Sequence, residues 1–143
     1  TREQKYTGKA NWDRIRDAKK IAKKIKVIGN GDVFSAEDGL ALFAHTGCDA
    51  ILVSRGTFGK PWIASDIKSL DHGIPQVKQN IFEVLLIHMN YILACKDDKK
   101  AILDMRRMAS WYLKDIKNAK DIKATLLKSK NLLEMKKIIE SNV

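Results

Sequence analysis

The sequence predicts an α/β segment followed by an all-α segment. Three observations predict this. Helix-like and strand-like patterns alternate up to about residue 75, strand patterns stop at Gln76, and no proline occurs after Pro75. The alternation is the rhythm of parallel βα units. Only two strand patterns occur, however, and a parallel sheet needs helices on both faces and usually more strands than two. Residues 1–75 therefore read as a piece of a larger sheet or barrel, and residues 76–143 as a small antiparallel helical bundle.

Each element has a local reason. From Asn11 to Ile25, the residues Ile15, Ala18, Ala22 and Ile25 recur every three to four positions and make one apolar stripe. Lys19, Lys20, Lys23 and Lys24 fall largely off it, which predicts a solvated outer helix. The short apolar run Val27-Ile28 leads into the loop Gly29-Asn30-Gly31-Asp32. Ser35 and Asp38 stand at capping-box spacing, so a helix is expected to start there and run to about Thr46, with Gly47 closing it. Ala50 to Val53 is an uninterrupted apolar run, the pattern of a strand buried on both faces. It ends in the loop Ser54-Arg55-Gly56-Thr57-Phe58-Gly59-Lys60-Pro61, whose proline can open a short helix. In the second segment, Val77, Ile81, Leu85, His88, Ile92 and Cys95 share one helical stripe, and Ile102, Met105, Ala109, Tyr112 and Ile116 share another. Asp97-Asp98 can cap the second of these helices. Two shorter helices are expected at about 119–128 and 132–140.

Composition excludes several classes. The 143 residues carry 27 Lys and Arg against 17 Asp and Glu, a net charge of +10. That excess makes a polyanion a reasonable partner. No apolar run approaches the roughly 18–20 residues that span a bilayer, and the N-terminus lacks a secretory pattern. These features point to a cytoplasmic protein with no membrane partner. Cys48 and Cys95 stand far apart, which excludes a disulfide framework or zinc knuckle and leaves two buried structural thiols as the expectation. His88 falls on an apolar helix face as a core or interface residue, while His45 and His72 have no partner at metal-ligand spacing, so no metal is expected. No H-E-x-x-H, G-x-S-x-G or Walker pattern is present, which argues against a self-contained hydrolase. The chain opens on Thr1 rather than Met, in a stretch that reads like the middle of something longer.

Chemistry concentrates in the two loops that follow the strand patterns. In parallel α/β folds, ligands sit at the carboxyl ends of strands. The glycines beside Asn30 and Asp32 let a backbone approach a ligand closely. Arg55 at the end of the second strand is suited to bidentate phosphate contacts. Two consecutive Gly-containing βα loops match the phosphate site of (β/α)8 barrels. Ordinary turns, with Asp32 and Ser35 merely capping a helix, are the alternative.

Five short motifs occur in order: Thr1-Arg-Glu-Gln-Lys-Tyr-Thr-Gly-Lys-Ala-Asn-Trp12, Val27-Ile-Gly-Asn-Gly-Asp32, Thr46-Gly-Cys-Asp-Ala50, Arg55-Gly56 and Gly59-Lys-Pro-Trp62. Together they resemble the second half of a bacterial-type tRNA-dihydrouridine synthase. Met105-Arg-Arg-Met-Ala-Ser-Trp-Tyr-Leu-Lys114 is similar to that family's C-terminal tRNA-binding domain. The resemblance implies the last two βα units of an FMN-binding TIM (β/α)8 barrel at 1–75 and a helical tRNA-binding domain at 76–143. It further implies reduction of tRNA uridine to 5,6-dihydrouridine by FMN, with NADPH as electron donor, in an enzyme that works as a monomer. Asn30, Gly31 and Asp32 correspond to the family's FMN-phosphate loop, and Ser54 and Arg55 to its Gly-Arg pair. The serine is a departure. It fits where its φ is negative, because that position donates through its backbone N–H. The family's catalytic cysteine, and its lysine and histidine near the flavin, lie in the half that this chain lacks. No catalytic residue is therefore assigned here, and the fragment alone is expected to be inactive.

A nucleic-acid face can also be read from the residues. A helical projection places Arg107, Lys114 and Lys100 away from the stripe of Ile102 to Ile116, with Trp111 on the same side and Arg106, Ser110 and Lys117 towards one edge. Residues 76–143 carry 14 basic and 8 acidic side chains. Such a face suits phosphate contacts, so Arg106, Arg107 and Lys114 are the candidate RNA contacts. A solvated face, with Trp111 packed on a neighbour, is the alternative. Two rival functions stand beside the main one: a phosphate-binding barrel oxidoreductase acting on a small molecule, and a non-redox RNA-binding module.

Overall fold

The computed structural model describes Glu3 and residues 5–143. Of the motifs above, Thr1, Arg2 and Gln4 lie outside the described residues. The chain divides into two units, residues 1–77 and 78–143.

In the first unit, α1 (Trp12–Ile21) starts at Asn11, whose side chain accepts from the Asp13 amide. It ends at Ile21, four residues before the end of the predicted stripe, so Ile25 lies outside the helix and is 72% exposed. The reason is the strand that follows: Asp49 accepts from the Val27 amide at 2.9 Å and from Lys19 Nζ at 2.6 Å. These bonds turn the chain out of the helix and give Lys19 a partner that a solvated outer face does not need. Strands β1 (Ile28–Gly29) and β2 (Ala50–Ile51) pair in parallel, Ile28 with Ala50 and Gly29 with Ile51. Flanking amides lengthen the ladder, Asp49 N–H to Val27 O at 2.9 Å and Leu52 N–H to Gly29 O at 2.8 Å. The expected burial of the second strand on both faces is not met: Ala50 and Ile51 are half-buried and Leu52 is 59% exposed.

Between the strands, α2 (Ala36–Thr46) begins at a complete capping box. The Asp38 amide donates to Ser35 Oγ, and the Ser35 amide donates back to the Asp38 carboxylate. Gly47 ends the helix. After β2 come a 3-10 turn, Arg55–Thr57, and α3 (Ile63–Asp71). Helix α2 packs against α1 and α3. The core holds Val33, Ala36, Leu42, Cys48, Ile63 and Ile67.

The second unit has four helices: α4 (Ile81–Cys95), α5 (Asp98–Tyr112), α6 (Lys120–Lys128) and α7 (Leu132–Glu140). Side chains of Asn80, Asp97 and Asn131 cap the first amides of α4, α5 and α7. Helix α5 stops at Tyr112, before Ile116 of the predicted stripe. The chain turns there, with Leu113 buried and Asn118 at φ 59. Helix α4 packs on α5 and α7, and α6 packs on both α5 and α7. Their shared interior contains Leu85, Met89, Met105, Leu126, Met135 and Ile139. Cys48 is buried as expected, but Cys95 is exposed, because it lies in the last turn of α4 beyond the packed length of its stripe. Seven α-helices and one two-stranded sheet make the described residues mostly helical, and no helix among them is long and apolar enough to cross a membrane.

Candidate functional site

Parallel pairing sets the two strand-end loops side by side. Asn30 Nδ2 donates to the Leu52 carbonyl at 2.8 Å, which ties the first loop to the end of β2. Gly31, at φ 148, occupies backbone that side chains rarely adopt, and a Cβ there would stand 2.5 Å from that of Ala10. Gly56 is required for another reason. A Cβ would lie 2.0 Å from the Val33 carbonyl oxygen, so the second loop can close on the first only without a side chain.

The result is a cavity of about 520 Å3 whose wall includes Asn30, Gly31, Asp32, Ser54 and Arg55, all five residues singled out from the sequence. Ser54 has φ −112, the negative value that lets serine stand at this position. Lys5 and Lys9 also line the cavity. With Arg55 they outnumber the one carboxylate among these residues, Asp32, and this balance favours an anionic ligand.

Arg55 is held in place. Its Nη2 donates to Asp32 Oδ1 at 2.6 Å, and its guanidinium lies 4.9 Å from the centre of the Tyr6 ring and 5.4 Å from that of Phe34. The second carboxylate oxygen of Asp32 accepts from the Ala10 amide at 2.6 Å, and Trp12 Nε1 donates to the Gly31 carbonyl at 3.0 Å. Residues 6–12 thus fold over the first loop. Sequence reasoning missed Tyr6 and Phe34 as site residues. Their only local signal is aromatic character beside glycine-rich loops, and the ring-to-guanidinium contacts depend on tertiary structure. His45, which has no metal-ligand spacing in sequence, pairs with Asp13 at 2.8 Å. That hydrogen bond, and then Arg16, hold the Asp13 carboxyl below its usual range.

In the second unit the three candidate RNA contacts fare differently. Arg107 is 64% exposed and bonds Asp104 at 2.7 Å. Lys114 is exposed beyond the end of α5. Arg106 is instead half-buried, donating from Nη2 to the Ser129 carbonyl at 2.6 Å with its Nε enclosed, so it serves the packing of α5 against the end of α6. Trp111 is partly exposed on the same helix. Lys96 and Arg107 share Asp104, and the Lys96 hydrogen bond is the main cause of its lowered carboxyl pKa. His88 Nδ1 lies 3.1 Å from the Tyr112 hydroxyl, with the rings edge to face. Burial holds the His88 imidazole below its ordinary pKa and pushes the Tyr112 phenol above its own.

The first unit is thus a parallel α/β unit whose two strand-end loops enclose a cavity suited to an anion. A family model described as dihydrouridine synthase matches residues 1–142, and the chain belongs to that family. Relatives include a probable tRNA-dihydrouridine synthase of Mycobacterium leprae, 31% identical over 139 residues, covering 94% of this chain and 36% of the relative. One of the same name from Aquifex aeolicus is 32% identical over 143 residues, 98% of this chain and 44% of that protein. The tRNA-dihydrouridine synthase B of Vibrio cholerae is 34% identical over 129 residues, 87% and 40% respectively. The chain spans less than half the length of these relatives.

Proposed function

We propose that this chain is part of a flavin-dependent tRNA-dihydrouridine synthase. In this reading residues 1–75 are the last two βα units of its FMN barrel, and residues 76–143 are its helical tRNA-binding domain. The observation that carries the reading is the cavity in which Asn30, Gly31, Asp32, Ser54 and Arg55 meet. A phosphate monoester fits these residues. Arg55, Lys5 and Lys9 supply positive charge, and the bare Gly31 and Gly56 let two backbone loops approach a ligand closely. Asn30 and Trp12 hold the first loop in place, so that it needs little rearrangement on binding. In this reading Asn30, Gly31, Asp32, Ser54 and Arg55 would hold the phosphate of FMN, which with NADPH as reductant would provide hydride chemistry for the uracil C5–C6 bond. No proton donor for that reduction is assigned to this chain. In this reading the enzyme works in the cytoplasm.

The reading is tested on the full-length protein. Visible flavin absorbance after purification is expected, as is NADPH-dependent appearance of dihydrouridine, two mass units heavier than uridine, in tRNA recovered from the reaction. A protein that purifies without flavin and binds none on FMN titration would overturn it. For the bundle, charge reversal at Arg107 and Lys114 is expected to weaken tRNA binding and to flatten its dependence on salt, since each lost phosphate contact lowers the slope by about one. An unchanged slope would remove that face from the interface.

A further inference from the structure

Three groups from two segments converge on the guanidinium of Arg55: the Tyr6 ring from one, and the Asp32 carboxylate and Phe34 ring from the loop after β1. Asp32 has both carboxylate oxygens engaged by donors, one by Arg55 and one by the Ala10 amide. A carboxylate only accepts hydrogen bonds, and a phosphate monoester, mostly a dianion at neutral pH with a second pKa of about 6, repels it rather than donating to it. The Asp32 side chain therefore has nothing to give an anion directly. What it can do is hold the arginine. A guanidinium presents five N–H donors in one plane, so engaging one of them with Asp32 sets the direction of the rest. The aromatic contacts of Tyr6 and Phe34 restrict the same plane further.

We propose that Asp32 is a positioning residue that fixes the Arg55 guanidinium at the cavity wall for a phosphate monoester, without touching the anion through its own side chain. This rests on reading the cavity as the FMN phosphate site. Two opposed effects decide its sign. Removing the Asp32 charge raises the positive potential of the cavity, which favours an anion. It also frees Arg55 to move, which disfavours a directed contact. Salt screens the first effect at a partly exposed pair and leaves the second intact.

The test uses the full-length protein stripped of flavin, titrated with FMN and with riboflavin, which lacks the phosphate, at about 0.5 M salt, where screening is strong. Asp32→Asn is the informative variant, because asparagine tolerates the φ of 50 at this position. It is expected to weaken FMN binding roughly tenfold and to leave riboflavin binding within about twofold. In an Arg55→Gln background, Asp32→Asn is expected to change FMN affinity no further, since its effect passes through the arginine. Tighter or unchanged FMN binding in the single variant would overturn the assignment, as would equal weakening of FMN and riboflavin. Additive losses in the double variant would also overturn it. Each of these outcomes leaves the flavin reading standing. A wild-type protein that binds neither flavin would overturn that reading and this assignment together.

Discussion

The two units hold themselves together by different means. In residues 1–77 the paired strands are two residues each, and Ile21, Ile25, Ile28 and Leu52 stay largely exposed. Loops there are fixed by single polar links, such as Asn30 to the Leu52 carbonyl, Trp12 to the Gly31 carbonyl and Asp49 to the Val27 amide. In residues 78–143 the helices satisfy most of their own backbone groups and pack around side chains with almost no exposure, among them Leu85, Met105 and Leu126. Exposed apolar residues occur there too, Tyr91, Leu103 and Leu133, on the outer faces of separate helices. A strand needs lateral neighbours to satisfy its backbone, whereas a helix does not. The unit built on strands therefore adds polar links and bare glycines to its apolar core, whereas the bundle rests on apolar volume.

Breaking the bundle by volume gives the largest expected effect. Met105→Ala removes a fully buried side chain and should cost about 3 kcal/mol, read as lost hydrogen-exchange protection across α4 to α7. Full protection at those amides would show that apolar volume does not hold the bundle. Breaking the first unit by backbone approach comes next. Gly56→Ala forces a Cβ against the Val33 carbonyl, at a cost of about 2 kcal/mol typical of overpacking, and should separate the two loops. FMN affinity would then fall together with stability, and an unchanged affinity would place Gly56 outside the site.

The smallest effect sharpens the comparison through pH. Because burial lowers the His88 pKa, the unfolded chain takes up the proton first as pH falls below the ordinary value of 6.5. The contribution of neutral His88 is therefore fully present above that pH. It declines below it, until the folded state is protonated as well. The Tyr112 hydroxyl faces the ring, and Asp104, paired with Lys96 and Arg107, opposes the shift. Denaturant unfolding of His88→Gln between pH 7 and pH 5 should show a flatter stability profile than wild type. The carboxylates of Asp97 and Asp104, whose pKa values are lowered, act in a separate window below about pH 4, where they lose stability on protonation.

Much of the site was legible because its signals are local. The capping box of Ser35 and Asp38 needs only a spacing of three, and the loops after the strand patterns show their glycines, Asn30 and Arg55 directly. Helix ends were less legible. A stripe continues in sequence through Ile25 and Ile116, but Asp49 and the buried Leu113 turn the chain before either is reached. Arg106 shows the same limit. Periodicity places it towards the edge of a basic face, whereas the Ser129 carbonyl, 23 residues away, draws its guanidinium inward.

By itself, then, the sequence determined which segments are helices or strands, where the glycine-bearing loops fall, and the family to which those motifs belong. The elements and loops follow from propensity, capping and spacing over a few residues, and the family from the likeness of the short motifs to its members. Tertiary structure alone decided what those residues do to one another. The Asp32–Arg55 bridge, the Tyr6 and Phe34 contacts and the inward turn of Arg106 join groups separated by roughly 20 residues or more. Such pairs form only when packing of the surrounding elements has already met the entropy cost of bringing distant chain segments together.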